Sequence, residues 1–176
     1  EPGTSSVSAT YRTLKEEIAK SQKEHGTRTV IARKGMRFPI GAGAEIDILF
    51  PDRDVSDWKT NDGSIIARVV FASTSVLLTG DSTKKTESLL GRVEPTDILK
   101  VGHHGSRTST GEALVSMLRP KWAVISAGFK NKYGHPHEET LNTLKKFDVT
   151  TLITYEKGTI VFTSDGRAFS EPTFPH

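Results

Sequence analysis

Hydrophobic and polar residues follow two different periodicities along this 176-residue chain. Near the start, Tyr11, Leu14 and Ile18 recur at spacings of three and four among Lys and Glu residues. This pattern predicts an amphipathic helix over residues 9–25, ended by Gly26. Further along, runs of β-forming apolar residues predict four strands, at residues 27–33, 44–50, 64–71 and 74–78. A turn at 39–43 follows the first strand, and a polar loop at 51–63 follows the second.

After residue 80 the pattern changes to helices that alternate with strands. The predicted pairs are helix 85–90 with strand 97–101, helix 111–118 with strand 122–126, and helix 138–147 with strand 150–154. A last strand at 159–163 is expected to pair back across a turn at 156–158, and residues 1–8 and 170–176 are expected to be irregular. Hairpins followed by αβ units favour one α/β (α+β) domain, with helices on one face of a mixed sheet. Such sheets bind ligands beyond the carboxyl ends of their strands.

The composition limits which side chains could bind a metal, but it does not identify a binding partner. There is no cysteine, so a metal could be held only by His, Asp or Glu side chains. The 24 Lys and Arg residues against 21 Asp and Glu residues permit an anionic substrate without requiring one. No apolar run reaches the length of a membrane span, roughly 20 residues. Because the chain begins at Glu1 without a methionine, we expect a processed or truncated product whose compartment stays open.

Three successive predicted strands end in glycine followed by Asp or His. Gly80 precedes Asp81, Gly102 precedes His103 and His104, and Gly134 precedes His135 and His137. Four of the six histidines therefore lie in these loops. Taken alone, Asp81 is typical of a turn, and the His-Pro-His run is typical of a solvated loop before a helix. Taken together, the residues indicate a hydrolytic metal site without thiolates.

The segments LLTGDS at 77–82, ILKVGHHGSRTST at 98–110 and AVISAGFKNKYGHPHEETL at 123–141 resemble the successive motifs of the ComEC-type metallo-β-lactamase domain. The resemblance extends from about residue 44 to residue 165. The family takes its name from a competence protein that passes transforming DNA across a bacterial membrane. The resemblance implies the C-terminal part of an αββα sandwich with two divalent metal ions, zinc or manganese, and favours an exported or membrane-attached location.

The resemblance also implies roles for individual residues. Asp81 matches the aspartate that bridges both metals, and His103 matches the next metal ligand, with His104 as its close rival. His104 or His135 would assist the leaving oxygen or neutralise developing charge, and ligation by His135 stays open. Asn61 occupies a position where many relatives carry a metal-binding histidine. Because an amide is a poor zinc ligand, we expect Asn61 to orient substrate or water; its residue type alone predicts only a turn. Further substrate contacts are expected from Ser106, Asn131, Tyr133 and His137.

One departure from the family is large. The His-x-His-x-Asp-His run that supplies most of the family's metal ligands does not occur in these 176 residues. We therefore expect a single metallo-β-lactamase-like domain over residues 1–176 that lacks this segment and part of its metal site. Its expected partners are the missing N-terminal half or a second chain, with DNA or another phosphodiester as substrate; a homo-oligomer is a further option.

The expected function is that of a metal-dependent phosphodiesterase connected with DNA uptake. One alternative is a non-catalytic assembly or nucleic-acid-binding module. Another is a hydrolase of β-lactam or thioester substrates, since this fold hosts many chemistries. Against DNA binding as the sole role, we identify no basic stripe interleaved with aromatic residues in the sequence.

Overall fold

The computed structural model describes residues 8–175. Its first element is helix α1, Ala9–His25, as the apolar spacing predicts. The Ser8 side chain caps this helix by accepting a hydrogen bond from the Tyr11 N–H at 3.2 Å, and Gly26 ends it in the left-handed conformation. None of the α1 residues is buried, so the helix contributes no side chain to the core.

Four antiparallel strands follow, and their first hairpin differs from the prediction. The strands are β1 Arg37–Gly41, β2 Ala44–Phe50, β3 Ile66–Phe71 and β4 Thr74–Leu78. Gly41 pairs with Ala44 across the two-residue turn 42–43, so β1 occupies part of the predicted turn. The predicted strand at 27–33 does not form. Strand β1 pairs with the edge of β2 that residues 27–33 would otherwise need. Because only a two-residue turn separates β1 from β2, their pairing costs less loop-closure entropy than pairing with a more distant segment.

The second half of the sheet is parallel and is built from αβ units. Its elements, in chain order, are α2 Lys84–Glu87, β5 Ile98–Lys100, α3 Glu112–Leu118, β6 Trp122–Ile125, α4 Glu138–Lys146, β7 Thr150–Ile153 and α5 Thr154–Lys157. Within residues 8–175 the seven strands form one sheet in the order β1 to β7, antiparallel through β4 and parallel from β4 onward. The predicted mixed α/β architecture is confirmed; the described residues form one sheet, not the two of a sandwich.

Apolar residues alternate between the two faces of the parallel strands. Leu99 and Ile125 pack with Leu114 and Leu144, which come from α3 and α4. Their strand neighbours Ile98, Trp122 and Leu152 point to the other face and pack against the C-terminal segment. The nearly continuous apolar sequences of β5 and β6 fit this arrangement, because strands covered on both faces need apolar side chains on both.

The predicted last strand at 159–163 is wrong. Helix α5 occupies residues 154–157, and the chain beyond it makes isolated bridges at Val161–Thr173 and Ser164–Phe169. The Phe162 and Trp122 ring centroids are 5.4 Å apart, so this segment crosses the sheet face and does not extend its edge. Residues 170–175 are irregular as expected apart from Thr173, whereas residues 1–7 lie outside the described residues.

No helix among residues 8–175 combines the length and apolar character that crossing a bilayer requires.

Candidate functional site

The candidate site lies where β4, β5 and β6 end side by side. Because these strands are parallel neighbours, their following loops meet at one edge of the sheet. The His103 N–H donates to the Gly80 carbonyl at 3.0 Å, joining the loop of Asp81 to the turn with the paired imidazoles. The His137 N–H donates to the Gly105 carbonyl at 2.9 Å, joining that turn to the third loop.

The turn 102–105 holds two successive histidines in an unusual backbone conformation. His103 has φ 46° and His104 has φ 57°, both in the left-handed region that non-glycine residues avoid. Each such residue costs roughly 1–3 kcal/mol. The Ser109 hydroxyl stabilises the turn by donating to the Gly102 carbonyl at 2.8 Å. Strain of this kind clusters at functional sites, and here it aims the two imidazoles in different directions.

His104 is the imidazole that faces Asp81. Its Nδ1 lies 2.8 Å from the Ser126 carbonyl oxygen, and because a carbonyl can only accept, Nδ1 carries the proton. In the neutral ring with this tautomer, Nε2 carries the lone pair, and it lies 3.8 Å from Asp81 Oδ1. Both side chains are about half exposed, at 53% and 45%. A nitrogen lone pair and a carboxylate oxygen therefore meet at an accessible position.

His103 faces the other way, toward Asn61. The Asn61 amide nitrogen lies 3.4 Å from His103 Nε2. His103 Nδ1 is buried and has no hydrogen-bond partner among the described residues. Of the two rival ligands, His104 is the one whose ring nitrogen lies within 4 Å of an Asp81 oxygen, at 3.8 Å. Asn61 contacts an imidazole of the site, so it is well placed to orient that ring.

His135 completes the cluster from the third loop. Its ring centroid lies 5.6 Å from that of His103 and 6.4 Å from that of His104. Burial lowers the pKa of His135, and the neighbouring imidazoles, first His137, lower it further; Asp81 acts in the opposite direction. The neutral imidazole is therefore the dominant form of His135 near neutral pH.

Three predicted substrate contacts have hydrogen-bond partners within the described residues, and their contact with substrate stays a prediction. Ser106 is buried, and its hydroxyl bonds within its own turn to Thr108 at 3.0 Å. The Nδ1 of His137 accepts a hydrogen bond from the Arg107 N–H at 3.1 Å. The Asn131 amide donates to the Gly128 and His135 carbonyls and accepts from the Tyr133 and His135 N–H groups. With all four of its hydrogen-bonding positions used, Asn131 shapes the loop.

Tyr133, by contrast, is 64% exposed beside the cluster. It lines a cavity of about 350 Å³. The other lining residues are His104, Ser126, Ala127, Gly128, Asn131, His135 and Thr154. This cavity is the space in which a substrate could contact the imidazoles.

The side chains match a metal only in part. Asp81 and His104 offer the oxygen and nitrogen donors that a cysteine-free site uses. Yet within residues 8–175 no group of three or more His, Asp or Glu side chains could hold an ion. Catalytic zinc sites use three protein ligands and a water. By themselves, the described residues therefore do not fit a complete metal centre.

Two features of this region were not predicted from the sequence. Lys100 on β5 is half-buried; burial lowers the pKa of its amine, and the Asp81 carboxylate partly offsets that effect. Its place two residues before Gly102, at the end of the strand that leads into the Gly-His-His turn, was the available signal. The second feature is Phe129, which is 70% exposed on the loop of Tyr133.

Comparison with known proteins relates this chain to parts of much longer ones. ComE operon protein 3 of Bacillus subtilis (strain 168) is 33% identical over 163 residues, which are 91% of this chain and 21% of that protein. Recombination protein 2 of Haemophilus influenzae (strain ATCC 51907 / DSM 11121 / KW20 / Rd) is 35% identical over 82% of this chain and 18% of its own length. The relatives of this chain are competence proteins.

A third relative carries that description in its name. Competence protein ComA of Neisseria gonorrhoeae is 33% identical over 126 residues, 68% of this chain and 18% of that protein. The chain thus spans about a fifth of the length of the curated relatives it matches. No protein-family model matches it. The similarity relates this chain to one part of each of these proteins, and the chemistry is argued from the site.

Proposed function

We propose that this chain forms one side of a site for metal-dependent hydrolysis of a phosphodiester during DNA uptake. The observation that carries the proposal is the approach of His104 Nε2 to Asp81 Oδ1 at 3.8 Å, with the imidazole proton held on the other nitrogen. A metal-binding histidine has the same arrangement, in which its second nitrogen donates to a carbonyl or carboxylate. The relation to competence proteins supports the DNA-uptake setting.

In this proposal Asp81 and His104 are metal ligands contributed by this chain. We propose that the remaining ligands come from outside residues 8–175, within which no group of three donors is found. The chemistry that zinc or manganese supplies in two-ion sites is a lowered pKa of bound water and neutralisation of phosphoryl charge. His135 is neutral near pH 7, since its pKa is lowered, and is suited to accept a proton at the rim.

We further propose that the sheet is half of a metallo-β-lactamase-type sandwich. On the face opposite α3 and α4, Leu78 is 38% exposed beside Lys100, and the C-terminal segment packs only over the part of this face around Ile98, Trp122 and Leu152. A second sheet, from another segment or a second chain, would cover this face and bring the missing ligands to the same edge. Exposed apolar surface of this kind favours such association.

A second candidate function is a nucleic-acid-binding module without catalysis. It is favoured by the lack of a three-donor group among residues 8–175. The two candidates differ in whether Asp81 and His104 bind metal, and metal titration therefore separates them.

The first experiment measures Zn²⁺ and Mn²⁺ binding to this chain by titration calorimetry. We expect Asp81→Asn and His104→Gln each to weaken binding by more than about tenfold, as loss of metal-site groups generally does. Asp57→Asn and His25→Gln, at exposed positions outside the site, are the matched controls. Metal affinity that is unchanged in Asp81→Asn would refute the proposed ligand role.

The second experiment measures hydrolysis of bis-p-nitrophenyl phosphate with added Mn²⁺ or Zn²⁺. This chain alone is expected to show no turnover, whereas a complete domain that contains it should show turnover that Asp81→Asn abolishes. Turnover by the 176-residue chain alone, with stoichiometric metal, would contradict the incomplete site. Full activity of the complete domain in the Asp81→Asn background would contradict the hydrolytic role of this edge.

A further inference from the structure

The loop between β6 and α4 presents two aromatic side chains to solvent next to the cluster. Phe129 is 70% exposed and Tyr133 is 64% exposed, although both are large apolar residues. Lysines alternate with them: Lys130 Nζ lies 5.3 Å from the Phe129 ring centroid, and Lys132 Nζ lies 4.9 Å from the Tyr133 ring centroid. The sequence FKNKY at 129–133 is thus a short basic stripe interleaved with aromatics, contrary to the expectation from sequence that none is present.

Asn131 makes this loop rigid from within. Its amide accepts from the Tyr133 N–H at 3.2 Å and the His135 N–H at 3.0 Å, and it donates to the Gly128 carbonyl at 2.9 Å. These bonds hold the backbone between the two aromatic residues in one conformation. A preordered loop loses less conformational entropy on binding, so its exposed rings are suited to contact a ligand.

The rings lead from the loop toward Asp81. The Tyr133 and His135 ring centroids are 5.7 Å apart with an interplanar angle of 23°, and His135 is inclined by only 18° to His104. On the other side of His135 lies a second cavity of about 240 Å³, lined by Phe129, Lys130 and Tyr155 among others. The two cavities are adjacent, because Asn131 and His135 line both. Tyr133 lines the first cavity and Phe129 lines the second.

We propose that residues 129–133 form a stacking platform for single-stranded nucleic acid. Phe129 and Tyr133 stack on unpaired bases, and Lys130 and Lys132 neutralise the adjacent phosphates. Aromatic side chains between basic residues bind single strands in this way, because every base has a π-face. The bases of a duplex are already stacked on each other, so the platform favours a single strand over a duplex.

Charge around the platform agrees with an anionic ligand. The segment 127–137 contains two lysines and no Asp or Glu. The proposal rests on the proposed function for one element: the strand bound here would present its phosphodiester to the edge that carries Asp81 and His104. Binding itself requires neither metal nor catalysis, so it can be measured independently.

The test is fluorescence anisotropy of a labelled oligodeoxythymidine of about 12 nucleotides, in metal-free buffer at low salt. We expect Phe129→Leu and Tyr133→Leu each to weaken binding by between about 5- and 150-fold, because leucine keeps apolar area but has no π-face. Phe129→Tyr and Tyr133→Phe should retain binding. Leu14→Ala, at a 52% exposed apolar position on α1, is the control for loss of surface area.

The lysines are tested through the salt dependence of binding. Lys130→Gln and Lys132→Gln should each reduce the slope of log K against log salt by about 0.7, while Lys20→Gln and Lys23→Gln on α1 leave it unchanged. Unchanged affinity in Phe129→Leu and Tyr133→Leu would overturn the platform, as would equal affinity for a duplex of the same length. If the loop binds a partner of another class, such as a protein, the oligonucleotide affinity would likewise not depend on Phe129 and Tyr133, and the platform would be overturned.

The two proposals fail in different measurements. If the oligonucleotide assay fails while Asp81-dependent metal binding is found, the platform is wrong and the proposed function stands. If the strand binds through Phe129 and Tyr133 but Asp81→Asn leaves metal affinity unchanged, the platform stands and the hydrolytic role is wrong.

Discussion

Gly105 and Pro136 lie so close together that a Cβ on Gly105 would be 2.6 Å from the Pro136 Cβ. Gly105 also has φ +83°, in the region that favours glycine. This contact packs the turn of His103 and His104 against the loop of His135. The distance between the imidazoles of the two loops therefore depends on a residue with no side chain.

Replacing Gly105 by alanine should separate these loops. We expect Gly105→Ala to lower the free energy of unfolding by about 1–3 kcal/mol more than Gly91→Ala, because of overpacking. Gly91 has φ +67°, and a Cβ added there would meet no atom within 4 Å, so it shares the backbone strain without the clash. Urea unfolding of the two variants provides the comparison. Equal losses of stability would mean that the Pro136 contact relaxes at no cost.

Asn131 should control the order of the exposed loop. In Asn131→Asp the two acceptor bonds can persist, but a carboxylate oxygen then faces the Gly128 and His135 carbonyls, which cannot donate. We expect faster amide hydrogen exchange at Tyr133 and His135, with global stability reduced by about 1–3 kcal/mol. Asn142→Asp, at an exposed position on α4, is the control. Exchange rates equal to those of the wild type would show that the loop is ordered by other contacts.

The Glu87 carboxylate binds the backbone just before helix α3. Its two carboxylate oxygens accept hydrogen bonds from the Thr110 N–H at 2.6 Å and the Gly111 N–H at 2.8 Å. Both donors precede Glu112, the first residue of α3, so these bonds fix the segment that leads into the helix. Glu87→Gln places an NH₂ group against one of these donors, so we expect a loss of about 1–3 kcal/mol in unfolding free energy.

The Glu87→Gln loss should also depend on pH. Burial raises the pKa of Glu87, and the two N–H donors only partly oppose it. A carboxyl whose pKa is higher in the folded state contributes stability that is fully present below its unfolded pKa and is lost as pH rises through the folded pKa. The free energy of unfolding of the wild type, relative to that of Glu87→Gln, should therefore fall as pH rises from the unfolded pKa of Glu87 through the folded pKa, with Glu94→Gln as an exposed control. A difference that grows with pH would mean that the N–H donors outweigh burial.

The tautomer of His104 can be read directly by NMR. Because Nδ1 donates to the Ser126 carbonyl, long-range ¹H–¹⁵N correlation should show the neutral ring protonated at Nδ1, with Nε2 bare. Added Zn²⁺ should shift the His104 Nε2 resonance before those of His103, whose Nε2 faces Asn61. A proton on Nε2 of His104 would remove the lone pair on which the proposed ligand role depends.

Local patterns were enough to predict much of this fold. The helix at 9–25, strand β4 and the three αβ units agree with their predicted ranges to within two residues for most element ends, because periodicity and caps act over a few neighbouring residues. The meeting of Asp81 with the loop histidines also followed from sequence, since parallel neighbouring strands end at one edge. The functional roles of these residues stay predictions.

The sequence by itself determined the elements and the loops that carry the polar side chains; the tertiary structure decided what each side chain contacts. Two left-handed residues turn His104 toward Asp81 and His103 toward Asn61, and no periodic pattern encodes that choice. Likewise, Ser106 is buried in contact with a segment 34 residues away, where the Thr140 hydroxyl donates to its carbonyl. Long-range packing sets such directions, whereas local propensity sets only where helices and strands begin and end.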